Sequence, residues 1–150
     1  DIKYVKSANE EIKALDSLNT KTTVVINEKS LTTSVSYSKE LDSLANINLV
    51  KYSLNALTYD SNSTKDEFAV FSEIYYKNGW NAYIDGELKP HLNVNYVLRG
   101  LEIPAGKHSI EFRFEPKVIQ TGSTISLLSY VLLLLIPLGW FFYDKNKATQ

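Results

Sequence analysis

Four aromatic side chains crowd into Tyr75-Tyr76-Lys77-Asn78-Gly79-Trp80-Asn81-Ala82-Tyr83, interleaved with amides and a lysine. Rings beside hydrogen-bonding groups stack on sugar rings or lipid headgroups, so Tyr75, Tyr76, Trp80 and Tyr83 are candidate glycan or headgroup contacts. A second reading competes: Trp80 and Tyr76 close the end of a hydrophobic core, the commoner use of such rings. Glu73 is the other side chain of interest, lodged in the apolar run Phe71-Ser72-Glu73-Ile74, whereas most carboxylates fall on outward faces. Held protonated it would serve as a general acid; ionised and buried it requires a cation. The chain has two arginines, Arg99 and Arg113. Because buried carboxylates are usually paired, a structural ion pair of Glu73 with Arg99 or Arg113 is the favoured reading, and Glu73–Arg99 is the pair expected.

Other chemistries are absent from the sequence. His91 and His108 are far apart and lack the spacing of a zinc site, which needs three or four convergent ligands. His108, at the start of a strand, reads as a surface residue. There is no cysteine, hence no disulfide framework, thiolate metal site or cysteine nucleophile. Neither a Gly-x-Ser-x-Gly elbow, a phosphate-cradling loop nor a dinucleotide fingerprint occurs. No catalytic residue, metal or cofactor is therefore assigned to this chain. Near-zero net charge (−1) argues against nucleic acid as a partner.

The elements that must position these residues are mostly strands. Residues 8–18 place Ala8, Ile12, Leu15 and Leu18 on one face of a short helix, with Ser7 or Asn9 as its cap and Glu10 and Glu11 in its first turn. Strands are predicted at 22–26, 31–37, 46–59, 67–76, 80–84, 94–99, 101–103 and 109–115. Of these, 67–76 is apolar on both faces and reads as a central strand. Asp85-Gly86 is a two-residue hairpin signal, and Pro104-Ala105-Gly106 turns the chain into the last strand. There Ile110, Phe112 and Phe114 point inward and Glu111, Arg113 and Glu115 outward. Residues 60–66 form a polar turn whose Asn62-Ser63-Thr64 matches a glycosylation triplet, a pattern that arises often by chance. About eight short strands after one helix predict an antiparallel β-sandwich over residues 1–117.

Residues 118–143 then run for 26 positions without a charged side chain. About 20 apolar residues cross the hydrocarbon core as a helix, and all-round apolarity distinguishes a span from a striped core helix. Ser126, Ser129 and Gly139 are tolerated in such a helix, and Pro137 kinks it at most. Trp140 and Tyr143 form an aromatic belt at one end, with Lys145 and Lys147 beyond as interface anchors. These lysines favour a short cytoplasmic tail, 144–150, which leaves the 117-residue domain (net charge −2) outside the cytoplasm. The mean hydropathy of −0.17 averages two unlike parts. The absence of methionine, even at position 1, is expected of a piece of a longer product.

Three ordered motifs carry a resemblance: Ser72-Glu-Ile-Tyr-Tyr-Lys-Asn-Gly-Trp-Asn-Ala-Tyr-Ile-Asp-Gly86, Val94-Asn-Tyr-Val-Leu-Arg-Gly100 and Ile103-Pro-Ala-Gly-Lys-His-Ser-Ile-Glu-Phe-Arg-Phe-Glu-Pro116. Together with Ala8–Leu15 and Thr23–Ile26, they resemble the C-terminal region of the YfhO-type bacterial membrane proteins, and the Lys/Asn/Tyr/Ser-rich flavour resembles members from the Bacteroidota. The resemblance implies a polytopic protein related to membrane glycosyltransferases that use polyprenyl-phosphate sugars. Their catalytic acid lies in an early extracytoplasmic loop with no counterpart here. The expectation is a non-catalytic extracytoplasmic domain and anchor in the bacterial inner membrane. Its implied partners are the bilayer, other membrane helices and a glycan or polyprenyl-linked sugar. The alternative is a single-span, tail-anchored interaction subunit of another envelope complex. A reading frame rich in hydrophobic spans upstream of Asp1 would separate the first from the second.

Overall fold

The computed structural model describes residues 1–31, 34–38, 40 and 42–147, without the side chains of 120 and 141–147. It forms two units, Asp1–Glu115 and Pro116–Gln150. In the first, the strands are β1 (Ile2–Val5), β2 (Val24–Asn27), β3 (Asn46–Ser53), β4 (Ala56–Ser63), β5 (Glu67–Ile74), β6 (Trp80–Ile84), β7 (Glu87–Lys89), β8 (Leu92–Val94), β9 (Leu98–Ile103) and β10 (Gly106–Phe114). The helix α1 (Ala8–Leu15) lies between β1 and β2. The second unit is one helix, α2 (Lys117–Lys147).

Two antiparallel sheets, ordered β3-β4-β10-β6-β7 and β5-β9-β8, make the sandwich. Period-two alternation explains its core: Leu57, Ala82, Ile84, Ile110 and Phe112 point in from one sheet, Phe71, Leu101 and Ile103 from the other. The rings of Tyr59, Phe71 and Phe112 meet edge to face, with centroids 4.9 to 6.2 Å apart. Each such pair adds about 0.5–1.5 kcal/mol to plain burial. The Asp85-Gly86 turn joins β6 to β7 with φ of 52° and 83°, the positive values a tight primed hairpin demands.

Several expectations change. The stretch 46–59 is a hairpin, not one strand: β3 and β4 pair across Leu54-Asn55, and β4 continues to Ser63 through the residues read as a turn. Register slips between Leu49 and Lys51, a bulge at Val50. Among the described residues, the strand at 67–76 is the edge of its sheet, with β9 as its one partner. Its apolar residues divide between two cores, Phe71 facing the sandwich and Phe68 the β2–β8 layer. The strand predicted at 31–37 is absent among the described residues, 32 and 33 lying outside them.

The N-terminal layer also departs from expectation. The β1–β2 pair is parallel, an exception to the antiparallel rule elsewhere. Helix α1 starts as expected: Ser7 accepts from the Glu10 N–H (3.3 Å), and Glu10 accepts from the Lys6 N–H (2.9 Å). Its buried residues, however, are Glu11 and Ala14, while Ile12 is exposed. Glu11 accepts from the Tyr96 N–H at 2.8 Å and the Asn27 amide at 3.4 Å. Asn95 and Tyr96 turn with positive φ, and Asn95 pairs with Val25 through both its backbone N–H and its side-chain oxygen. Those bonds tie the layer to the β8–β9 connection, so a carboxylate occupies the place the apolar stripe assigns to Ile12.

In α2, residues Lys117–Trp140 are long and apolar enough to cross a membrane, with mean hydropathy 1.8. Its described aliphatic residues are exposed all round, as a lipid-facing cylinder requires. The Ser129 hydroxyl donates to the Ile125 carbonyl at 2.9 Å, which satisfies it without water. Pro137 lies inside the helix. Tyr143, Lys145 and Lys147 lie on its last turns, but their side chains are outside the described residues.

Candidate functional site

Where β6 leaves the Tyr75–Gly79 loop, the sandwich opens into a cleft of about 640 Å³. Trp80 and Tyr75 form part of its wall, together with Leu88 and Pro90. His91 and Asn93 flank β8's Leu92, so alternation sends them to the side of the sheet opposite Leu92 and Val94, which are buried against β2. Tyr75 tilts over His91 with ring centroids 5.1 Å apart. His91 in turn meets the edge of Phe112 at 6.0 Å.

Behind Trp80 lies Arg99, 1% exposed. Its guanidinium carbon sits 4.3 Å from the Trp80 ring centroid and 5.1 Å from that of Phe112. Its Nε donates to the Ile74 carbonyl at 2.9 Å. Arg99 and Asn93 are register partners on β9 and β8, so their side chains share a face. The Arg99 Nη1, Asn93 Oδ1 and His91 Nε2 are buried with no hydrogen-bond partner. Each such atom costs about 1–3 kcal/mol while unpaired.

Burial sets the electrostatics. It draws the His91 imidazole down to about 4, with the positive charge of Arg99 adding to the effect, so the ring is neutral at neutral pH. Burial also lowers Arg99 from its ordinary value, partly offset by the charge of Glu73 and by Tyr59. Burial raises the Tyr75 phenol.

The aromatic residues grouped by the sequence do not stay together. Tyr75 and Trp80 line the cleft. Tyr76 stacks on Phe114 at 6.4 Å and is half exposed; Gly79 beside it leaves no room for a methyl against the same two rings. Tyr83 lies one residue out of phase with Trp80's face. Its hydroxyl donates to Glu115 at 2.7 Å and its ring carries the Arg113 guanidinium at 4.4 Å. Glu73 and Arg99 make no ion pair within 4 Å among the described residues; the carboxylate acts on the guanidinium at longer range. Trp140 is exposed on α2, in the other unit.

His91, Asn93, Lys29 and Lys89 escape a reading of the aromatic run, because the turn Glu28–Ser30 and the segment from β7 through β8 bring them from elsewhere; Lys77 lies within the run. A signal for the first two does exist: His91-Leu92-Asn93-Val94 alternates polar and apolar. His108 differs from His91. Its Nδ1 is 2.6 Å from Asp85, and its Nε2 is 3.2 Å from the Ala105 carbonyl. Among the described residues, no group of three or more acidic, histidine or cysteine side chains is placed to hold a metal.

No curated protein and no solved structure matches the chain. A protein-family model, described as bacterial membrane protein YfhO, matches residues 8–126, from α1 through the sandwich into α2. The match covers well over half the sequence and includes all three motifs and the cleft, and with it the chain belongs to the YfhO family of bacterial membrane proteins.

Proposed function

We propose that residues 1–117 are a non-catalytic, extracytoplasmic saccharide-holding domain, anchored by α2 in the bacterial inner membrane. In this reading it assists transfer of sugar from a polyprenyl-phosphate donor to a cell-envelope acceptor. The observation that carries the proposal is the cleft: two aromatic rings, Tyr75 and Trp80, stand beside buried polar atoms of His91 and Asn93 that have no partner. A sugar offers what both halves need, an apolar ring face and hydroxyls that donate and accept.

The test is calorimetric titration of the full chain in lipid nanodiscs with neutral and charged monosaccharides. Tyr75→Ala should weaken binding at least about fivefold, the loss expected for one stacking ring. Binding left unchanged by Tyr75→Ala, or no saccharide binding at all, overturns the reading. For orientation, the thiol-free sequence permits a single cysteine at exposed Asn62. An impermeant reagent should label it in cells whose outer barrier is opened; protection would reverse the topology.

A further inference from the structure

The cleft carries more positive charge than a neutral sugar needs. Lys29, Lys77 and Lys89 stand along it, and none of its lining residues is Asp or Glu. Lys89 has Glu87 at 3.0 Å. Lys29 and Lys77 have no ion-pair partner within 4 Å among the described residues. Arg99, behind Trp80, adds a buried guanidinium whose Nη1 makes no hydrogen bond and which has no carboxylate in direct contact. The carboxylates nearby are engaged or distant: Glu115 holds Asn81 and Tyr83, and Glu73 acts on Arg99 only beyond contact range.

Such an arrangement is costly unless something negative enters, because a buried cation without a paired anion forfeits its solvation. Low-dielectric walls also concentrate the field of the lysines within the cleft. His91 and Asn93 line it with uncharged side chains that hydrogen-bond, suited to hydroxyls and not to an anion's oxygens alone. Cations and uncharged acceptors beside aromatic walls call for one ligand that has a ring, hydroxyls and a negative charge.

We propose, resting on the saccharide reading above, that the cleft selects an acidic saccharide, a sugar bearing a carboxylate or phosphate. Its ring lies against Tyr75 and Trp80, its hydroxyls meet His91 and Asn93, and its anionic group is held in the field of Lys29, Lys77, Lys89 and Arg99.

The experiment titrates the full chain, in nanodiscs of zwitterionic lipid, with glucose, glucuronate, glucose 1-phosphate and inorganic phosphate. At least one acidic sugar should bind about tenfold or more tightly than glucose, the effect of one charge-assisted contact. Whichever acidic sugar binds more tightly identifies the anion as carboxylate or phosphate. In Lys29→Ala/Lys77→Ala, whose changes lie on the cleft rim, the preference should fall to within about twofold. Because the chain has two histidines, imidazole NMR locates the ligand directly: the His91 signals should move and those of His108 should not. Sugars that bind with equal affinity overturn the acidic preference and leave the saccharide reading intact. Inorganic phosphate that binds as tightly as the sugars, or a preference that persists in the double variant with His91 unmoved, also overturns it. Absence of all saccharide binding removes both.

Discussion

On the outer face of β6 and β10, every charged group described above has an answer. Arg113 grips Glu111 through Nε at 2.7 Å and through Nη2, and lies over Tyr83; Glu115 accepts from Tyr83 and from Asn81, at 2.7 and 2.9 Å. On the inner face of the same two strands, Trp80 and Phe112 cover Arg99, which has an unmade N–H, with His91 close by in the same state. The two faces come from alternate residues of the same two strands, so local sequence composition cannot explain the contrast. Exposed charges satisfied among themselves contribute little and commit to nothing. Buried groups left unsatisfied lower stability, and each needs a reason to be kept.

The largest expected effect separates the faces by stability. Phe112→Ala, on the inner face, should cost about 3–5 kcal/mol, since it opens a cavity beneath three rings and Arg99. Arg113→Ala, the next residue, should leave urea unfolding of the full chain in detergent nearly unchanged. Equal losses from the two would abolish the contrast.

Next in size is a pH effect at His91. Its imidazole takes up a proton near 6.5 when unfolded but only near 4 when folded. Stability is therefore complete above about pH 6.5 and falls as the pH drops toward 4, where unfolding binds the proton. The loss should be of order 2 kcal/mol once solvent screening at this partly exposed ring is allowed for. His91→Asn should flatten that limb of a melting-temperature profile. An unchanged slope would place the proton uptake elsewhere.

His108 should give the opposite slope. Its hydrogen bond to Asp85 raises its pKa, so the stabilisation is full below about 6.5 and is lost as pH rises through the raised value. Asp85 is exposed and His108 half-buried, so solvent screens the pair, and Asp85→Asn should lower the melting temperature less than acidification does through His91. Smallest of all, Tyr83→Phe removes a hydroxyl bond on the outer face. It should restore the Glu115 carboxyl, held low by Asn81 and Tyr83, toward its ordinary range with barely any change in melting. Carboxyl NMR titration checks this.

How far these features can be read in advance depends on what carries them. The inward Ile110 and Phe112, the Asp85-Gly86 turn and the charge-free span are local patterns, and each is present in the structure. The buried face of α1 is not local: Glu11 is chosen by the Tyr96 N–H, 85 residues away, which a positive φ turns toward it. Strand order is equally hidden, so an apolar strand such as β5 looks central yet lies at an edge. Within the site, period-two alternation alone separates Trp80 from Tyr83. By contrast, Lys29 and Asn93 reach Trp80's cleft only through tertiary packing.

The bulge at Val50 carries a consequence for crowded chains. Among the described residues β3 is an outer strand of its sheet, with Leu49, Val50 and Tyr52 exposed, the kind of edge that offers backbone groups to an approaching strand. Cross-β stacking needs an unbroken, flat stretch of about six or seven residues. The bulge interrupts β3 near its midpoint and places Lys51 directly after the break. Neighbouring copies concentrated in one membrane thus meet a twisted, charged edge that resists templating further strands.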